Sequence, residues 1–171
     1  MKNTIKLVAF LTCAFLSTSV SAQVKLGHIK TQELIEVMPE YTAAQAKMKT
    51  EQESVEKELA NLGEQFQTKL ADYQKNSTTY TEVIRATKEQ ELQDLQQRVQ
   101  RFQQVATQNL EKTQQTLMAP IIKKATDAIN AVGKENGFTY ILDMTAGVVL
   151  YTGDNSQDIL PLVKKKLGIA Q

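Results

Sequence analysis

The feature that most constrains this chain is a long stretch without strong helix breakers. No proline lies between Pro39 and Pro120, and Gly63 is the only glycine in residues 41–117. Proline and glycine are the residues that destabilise helix interiors most. The stretch therefore predicts long helices, and Gly63 is interpreted as a hinge within them.

Large apolar residues recur in this stretch at steps of three and four, which places them on one face of each helix. The short polar residues from Asn76 to Tyr80 interrupt the pattern and favour a turn. We therefore predict an antiparallel helical hairpin that reverses near residue 78 and closes two apolar seams on each other. The predicted seam residues are Met48, Val55, Leu59, Leu62, Phe66, Leu70, Tyr73, Leu92, Leu95, Val99, Phe102, Ala106, Leu110 and Leu117.

Residues 1–22 have the features of a secretory signal peptide. Lysines at positions 2 and 6 precede an uncharged, mostly apolar run from Leu7 to Val20, and the small residue Ala22 ends the segment. The run is shorter than the roughly 20 residues of a membrane-spanning helix. We predict export with cleavage after Ala22, and an uncleaved anchor or a lipoprotein processed at Cys13 are weaker alternatives.

The charge of the mature chain excludes one class of partner. Cleavage would remove two of the 20 basic side chains and none of the 19 acidic ones, so the mature chain is close to neutral. Nucleic-acid binding needs clustered excess basic residues. We therefore expect no nucleic-acid partner.

Three segments outside the hairpin have the pattern of short β-strands. Val24–Ile29 alternates with period two, while Phe138–Leu142 and Val148–Tyr151 are rich in β-branched and aromatic residues. Turn residues at 143–147 predict a β-hairpin between the last two strands. A terminal helix is predicted at Ile159–Leu167, with Asp158 or Ser156 as its cap.

The predicted fold class is α+β, mainly α. Residues 23–40 and 118–171 form a small β-containing body, and the hairpin arm of residues 41–117 is inserted between its strands. Pro120 lies where the arm joins the body and predicts a kink. Because such a small sheet leaves its edges open, we predict that a homo-oligomer completes it through the sheet edges and flanking helices.

The mature chain lacks the residue sets of common catalytic and metal sites. His28 is the only histidine, and no cysteine remains after cleavage. Residues 154–158 lack the glycine and the final glutamate of a calcium loop, so helix capping is the preferred interpretation. We predict that the protein is not an enzyme and has no catalytic residue, cofactor or metal.

The order of these features resembles the Skp/OmpH family of periplasmic chaperones. The resemblance covers the mature chain and is most specific in Lys25–Thr31, in Tyr140–Asp143, in Val149–Tyr151 and at Asp158–Ile159. It implies a homotrimer in the periplasm, with a central β body and three arms around a cavity. There the family holds unfolded outer-membrane β-barrel proteins without ATP.

Two hypotheses of function follow. The first is an ATP-independent holdase for unfolded outer-membrane proteins, with Tyr80, Val83, Ile84 and Val105 as client contacts that lie off the seams. The second is a structural or adaptor coiled coil of the cell envelope that binds a folded partner or the membrane surface.

The near-neutral charge departs from the basic character of the family. We therefore expect only weak contact with lipopolysaccharide or a membrane surface. The candidate cations near the arm tip are Lys75, Arg85 and Lys88.

Overall fold

A computed structural model describes residues 24–169, so the predicted signal peptide and its cleavage after Ala22 lie outside the described residues. The fold is α+β and mainly α, as predicted. No described helix is long and apolar enough to cross a membrane. The elements are β1 (Leu26–Ile29), α1 (Thr31–Glu36), α2 (Pro39–Asn76), α3 (Glu82–Glu135), β2 (Tyr140–Asp143), β3 (Ser156–Asp158) and α4 (Leu160–Lys166).

The helices α2 and α3 form the predicted antiparallel hairpin. Pro39 begins α2, where the fixed φ of proline suits the first helical turn. The reversal lies between Asn76 and Glu82, and the side chain of Thr81 caps α3 by accepting a hydrogen bond from the Ile84 N–H at 3.4 Å. Every predicted seam residue is buried or half-buried, which confirms that the two seams close on each other.

The helix α3 continues through Pro120 and ends at Glu135, so one element belongs to both the arm and the body. The kink at Pro120 stays a prediction. Beyond the helix, Gly137 has a φ of 68°, and the Phe138 N–H donates to the Gly133 carbonyl at 3.0 Å. A left-handed glycine with this backbone bond is a common way to end a helix.

The prediction of a β-hairpin after β2 is wrong. The sheet has the order β2-β1-β3, and β1 pairs in parallel with both neighbours. Parallel strands cannot be joined by a tight turn, so residues 144–155 pass from one edge of the sheet to the other. Val148–Tyr151 forms no strand in the single chain. The third strand is the polar segment Ser156–Asp158, whose position follows from its pairing with β1.

The hydrophobic core lies between the sheet and the helices at the base of the arm. Gly27 is closely packed, because a Cβ there would meet the side chains of Phe138 and Ile159 at 3.1 and 3.2 Å, and these side chains would have to shift to make room for it. The N-cap of α4 is Ile159 and not the predicted Asp158 or Ser156, but Asp158, one residue earlier, accepts a hydrogen bond from the Leu160 N–H at 2.9 Å. The buried core residues are Ile29, Leu34, Ile35, Met38, Ala44, Ile121, Ala125, Ala128, Val132, Ile159 and Val163.

Candidate binding surfaces

The described residues contain no group of three or more His, Cys, Asp or Glu side chains that could hold a metal ion. The half-buried His28 lies on the central strand, and its Nδ1 is 2.8 Å from the Ser156 Oγ. This hydrogen bond joins β1 to β3.

Two of the candidate residues at the arm tip are used within the turn itself. Tyr80 donates a hydrogen bond to Asp72 at 3.1 Å and lies against Tyr73, with ring centroids 6.4 Å apart. Partial burial, together with this hydrogen bond, raises the pKa of Tyr80. Arg85 donates to the Ser77 carbonyl at 3.3 Å. Both side chains stabilise the reversal of the chain and are less available to a client than the sequence suggested.

The lysines near the tip differ from each other. Lys88 lies 3.6 Å from Glu91, and Lys69 on the opposite helix lies 2.7 Å from the same carboxylate. The hydrogen bond from Lys69 is the main reason why the pKa of Glu91 is lowered. Lys75 is exposed and forms no ion pair with a described residue. Of the three candidate cations, Lys75 is thus the one that is exposed and forms no ion pair with a described residue.

The apolar candidates on the arm point outward but stand apart. Val83 is 77% exposed, Ile84 44% and Val105 49%. Val105 lies about 30 Å along the helix from Val83, at about 1.5 Å per residue. The arm therefore offers single apolar contacts and no continuous patch at these three positions.

The largest group of exposed apolar side chains is on the body, at one edge of the sheet and in the segment that follows it. Leu150 is 94% exposed and Tyr151 83%, values that are unusual for such large apolar side chains. These residues were predicted only as strand residues near the oligomer contact. The group consists of Tyr140, Leu142, Val148, Leu150 and Tyr151.

The segment with these residues is anchored at its beginning by Asp143. The Asp143 Oδ1 accepts hydrogen bonds from the Thr31 N–H at 3.3 Å and the Thr145 N–H at 2.9 Å. The Thr145 hydroxyl accepts from the Gln32 N–H at 3.2 Å, so both side chains satisfy the free N–H groups of α1. Partial burial opposes ionisation of Asp143, but the hydrogen bonds outweigh it and the pKa of this carboxyl is lowered.

A groove that the sequence did not predict lies between α2 and α3 where the arm meets the body. We call it the base groove. It has a volume of about 370 Å³, and the buried Ala44 is among its lining residues. Its apolar wall consists of Tyr41, Met48, Leu117 and Met118, and its polar rim consists of Gln45, Lys49, Gln52 and Gln114.

A second groove lies beside the first, since the two share Ala44 and Leu117. Its volume is about 390 Å³, and its surface is almost entirely apolar, with Pro120 and Ile121 among its lining residues. An ion pair between Lys124 and Glu40 lies at its rim. This hydrogen bond lowers the pKa of Glu40 and joins the two helices of the arm at their base.

These observations define an α+β protein with a small parallel sheet and a helical-hairpin arm inserted between its strands. A profile of the family described as "Outer membrane protein (OmpH-like)" matches residues 25–167. The chain therefore belongs to the OmpH-like family, which confirms the resemblance found in the sequence.

Among known structures, the chain is similar to that of a protein from Caulobacter crescentus CB15 described as an outer membrane chaperone (OmpH-like). The two share 19% sequence identity with a TM-score of 0.73, and the match covers 88% of each chain. At this identity the likeness shows the shared fold. No curated protein matches the chain.

Proposed function

We propose that this protein is an ATP-independent periplasmic holdase that binds unfolded outer-membrane β-barrel proteins and prevents their aggregation. The observation that carries the proposal is the thinness of the arm. Between residues 45 and 117 only Leu62, Leu95 and Ala106 are buried. An arm of two helices with so little core of its own can bend and surround a client of variable shape.

The surface of the arm supports binding by many weak contacts. Outward apolar side chains such as Val83 and Val105 are separated by charged and amide residues. Each contact alone is weak, but several arms around one client raise the effective concentration of every contact. Release then needs no ATP, because the contacts are individually reversible and folding into the membrane removes the client.

The proposal includes assembly into a homotrimer through the body. Tyr140 and Leu142 are exposed on the edge strand β2, and Val148, Leu150 and Tyr151 are exposed in the segment that follows it. Val148–Tyr151 has the sequence of a strand without a partner in the single chain. Pairing with a neighbouring copy would give it that partner and bury the apolar group.

The trimer is tested with Leu150→Asp. A carboxylate buried in an apolar interface without a partner is strongly unfavourable, so we expect the mass measured by light scattering to fall from trimer to monomer at micromolar concentration. Val83→Asp is the matched control, because Val83 is 77% exposed on the arm, and it should remain a trimer. A trimeric Leu150→Asp protein would contradict this interface.

We propose the periplasm as the site of action, on the basis of the predicted signal peptide. Contact with lipopolysaccharide or a membrane surface is proposed to be weak. Lys75 is exposed, but Lys88 is partly neutralised by Glu91 and Arg85 binds the Ser77 carbonyl. Surface charges also attract anions less as salt increases.

The holdase activity is tested by diluting an unfolded outer-membrane barrel protein from urea, with and without the mature protein at a three-to-one subunit ratio and without ATP. We expect suppressed light scattering with the wild type. The monomeric Leu150→Asp variant should suppress it less, since single arms cannot enclose a client. Unchanged scattering with a folded, trimeric wild type would contradict the holdase and favour an adaptor that binds a folded envelope partner.

A further inference from the structure

We propose that the base groove is the main client-binding site, and that it takes an extended apolar segment carrying an acidic side chain. This inference rests on the proposed holdase function and names the surface that performs it. It moves the principal contact from the outward residues of the arm that the sequence predicted, Tyr80, Val83, Ile84 and Val105, to the junction of arm and body.

The apolar wall of the groove is continuous with the core of the protein. Tyr41, Leu117 and Met118 are half-buried and pack against the buried core residues. The wall is therefore fixed in place, unlike isolated side chains near the tip. Met48 and Met118 face the groove with unbranched, polarisable side chains that adapt to partners of different shape. An apolar wall that is fixed by the core and carries adaptable methionine side chains suits a site that binds segments of many different sequences.

The rim supplies hydrogen-bonding groups that an unfolded backbone needs. Gln45, Gln52 and Gln114 are exposed, and each amide offers both donors and an acceptor. An extended chain presents unpaired N–H and C=O groups, which are costly to desolvate without partners. Gln45 and Gln52 are about 10 Å apart along the helix, which matches about three residues of extended chain.

The charge at the rim selects an acidic segment. Lys49 has a side chain that is 76% exposed, and its nearest carboxylate, on Glu53, is 3.8 Å away. This loose ion pair leaves the lysine able to bind a client carboxylate. The tip face around Val83 has the opposite character, because Glu82 and Asp94 lie beside it. An acidic apolar segment is therefore attracted to the base groove, whose charged lining residue is Lys49, and not to the face around Val83.

The neighbouring groove is a poorer site for an extended chain. Its surface is almost entirely apolar, and no glutamine lines it. Its polar lining residues are Glu40, Lys47 and Lys124, and Glu40 and Lys124 are paired with each other, so it offers an unfolded backbone fewer free donors and acceptors than the base groove does. We therefore assign the client segment to the base groove alone.

The first test is site-specific photo-crosslinking. Cys13 is the only cysteine and precedes the predicted cleavage site, so Gln52→Cys in the mature protein is labelled uniquely with a benzophenone maleimide. The matched control is Ser54→Cys, which is exposed on the same helix but does not line the groove. With a urea-unfolded barrel protein as client, we expect crosslinking at position 52 to exceed that at position 54 by about fivefold or more.

Two kinds of result would overturn the proposal. One is equal crosslinking at positions 52 and 54, or a higher yield from Val83→Cys at the tip. The other is crosslinking from position 52 to a second subunit without client, which would make the groove an interface between copies.

The second test measures affinity with a double variant, Met48→Gln with Met118→Gln. Glutamine keeps the side-chain length and helix preference, and circular dichroism verifies the fold. The probe is a fluorescein-labelled peptide of alternating valine and serine with one central glutamate. We expect binding at least about tenfold weaker than to the wild type, since two apolar contacts are lost. Ile122→Gln is the control, because Ile122 is 47% exposed and does not line the groove, and its affinity should be unchanged.

The outcomes separate this inference from the function on which it rests. If the wild type suppresses aggregation but the double variant binds the peptide as tightly as the wild type does, the base groove is not the client-binding site. The proposed holdase function would still hold. A wild type that does not suppress aggregation contradicts the holdase itself. Replacing the peptide glutamate with lysine should weaken binding about threefold or more, and equal binding would refute the role of Lys49.

Discussion

The body and the arm of this molecule are stabilised in different ways. In the body, several large side chains are almost completely buried between helices and sheet, whereas in the arm only Leu62 reaches the same degree of burial. A two-helix layer contacts water on most of its surface, so each seam residue is enclosed on one side only. The fully buried body residues are Ile29, Leu34, Met38, Ile159 and Val163.

The exposed apolar residues are distributed in the opposite way between body and arm. The body, which has the better core, also has the largest group of exposed apolar residues, from Tyr140 to Tyr151. The arm, which has the poorer core, spreads its exposed apolar residues singly. A stable body with an unsatisfied edge suits assembly, and a weakly packed arm without large patches suits reversible contact with changing partners.

The largest expected effect tests the stability difference directly. Leu34→Ala removes a side chain with 0% exposure, and we expect it to lower the free energy of unfolding by about 2–5 kcal/mol. Leu62→Ala should cost about 2 kcal/mol, at the low end of that range, because the thin arm can collapse around the missing atoms. Urea unfolding followed by circular dichroism measures both.

The two variants should also differ in where they act. Leu34→Ala should increase amide hydrogen exchange throughout the body, while the effect of Leu62→Ala should be confined to the arm. If the two variants lose the same stability, or if Leu62→Ala also increases amide hydrogen exchange in the body, then arm and body unfold as one unit. The proposed difference in stability between the two regions would be wrong.

The arm could be predicted from the sequence much better than the body. Local periodicity decides which face of a helix is apolar, and the breaker pattern decides where it turns, so the seams and the reversal near residue 78 were predictable. The sheet depends on pairing between residues more than a hundred positions apart, as in Leu26 with Tyr140 and Ser156. Its parallel order and the polar strand β3 carry no local signal.

The binding surfaces likewise differ in how well the sequence predicts them. Outward residues such as Val83 could be identified because they lie off the seams. The base groove could not, because residues far apart in the sequence, such as Met48 and Leu117, form it together and it has no motif of its own. The use of Tyr80 and Arg85 within the turn likewise depends on partners that the pattern does not reveal.

A second prediction concerns the link between the sheet and the exposed segment. Asp143→Ala removes the acceptor for the N–H groups of Thr31 and Thr145, and we expect a loss of about 1 kcal/mol, as for other capping residues. The segment with Leu150 should also become less ordered. Trimer dissociation on dilution, followed by light scattering, should therefore occur at a higher concentration than in the wild type.

The same carboxylate gives the body a pH dependence of known sign. Because the pKa of Asp143 is lowered in the folded state, its contribution is fully present above the unfolded pKa of about 3.9. The contribution is lost as the pH falls through the lower folded pKa. Glu40 and Glu91 act in the same direction. Asp143→Asn should therefore lose less stability on acidification than the wild type, and an identical loss would contradict the assignment.

The smallest expected effect concerns the flexibility of the arm at Gly63. A Cβ at this position would meet nothing within 4 Å, and the φ angle is not positive, so neither packing nor backbone geometry requires glycine. Gly63→Ala should stabilise the arm by about 0.5–1 kcal/mol, because alanine loses less conformational entropy in a helix.

If Gly63 is the hinge of the arm, the same substitution should narrow the distribution of distances between spin labels at the tip and the body. Client capture should then become slower, since a stiffer arm closes less readily around its client. An unchanged distance distribution would remove Gly63 as the hinge. The mobility of the arm would then arise from its thin seam alone, which would make the difference in packing between arm and body the whole cause of their difference in motion.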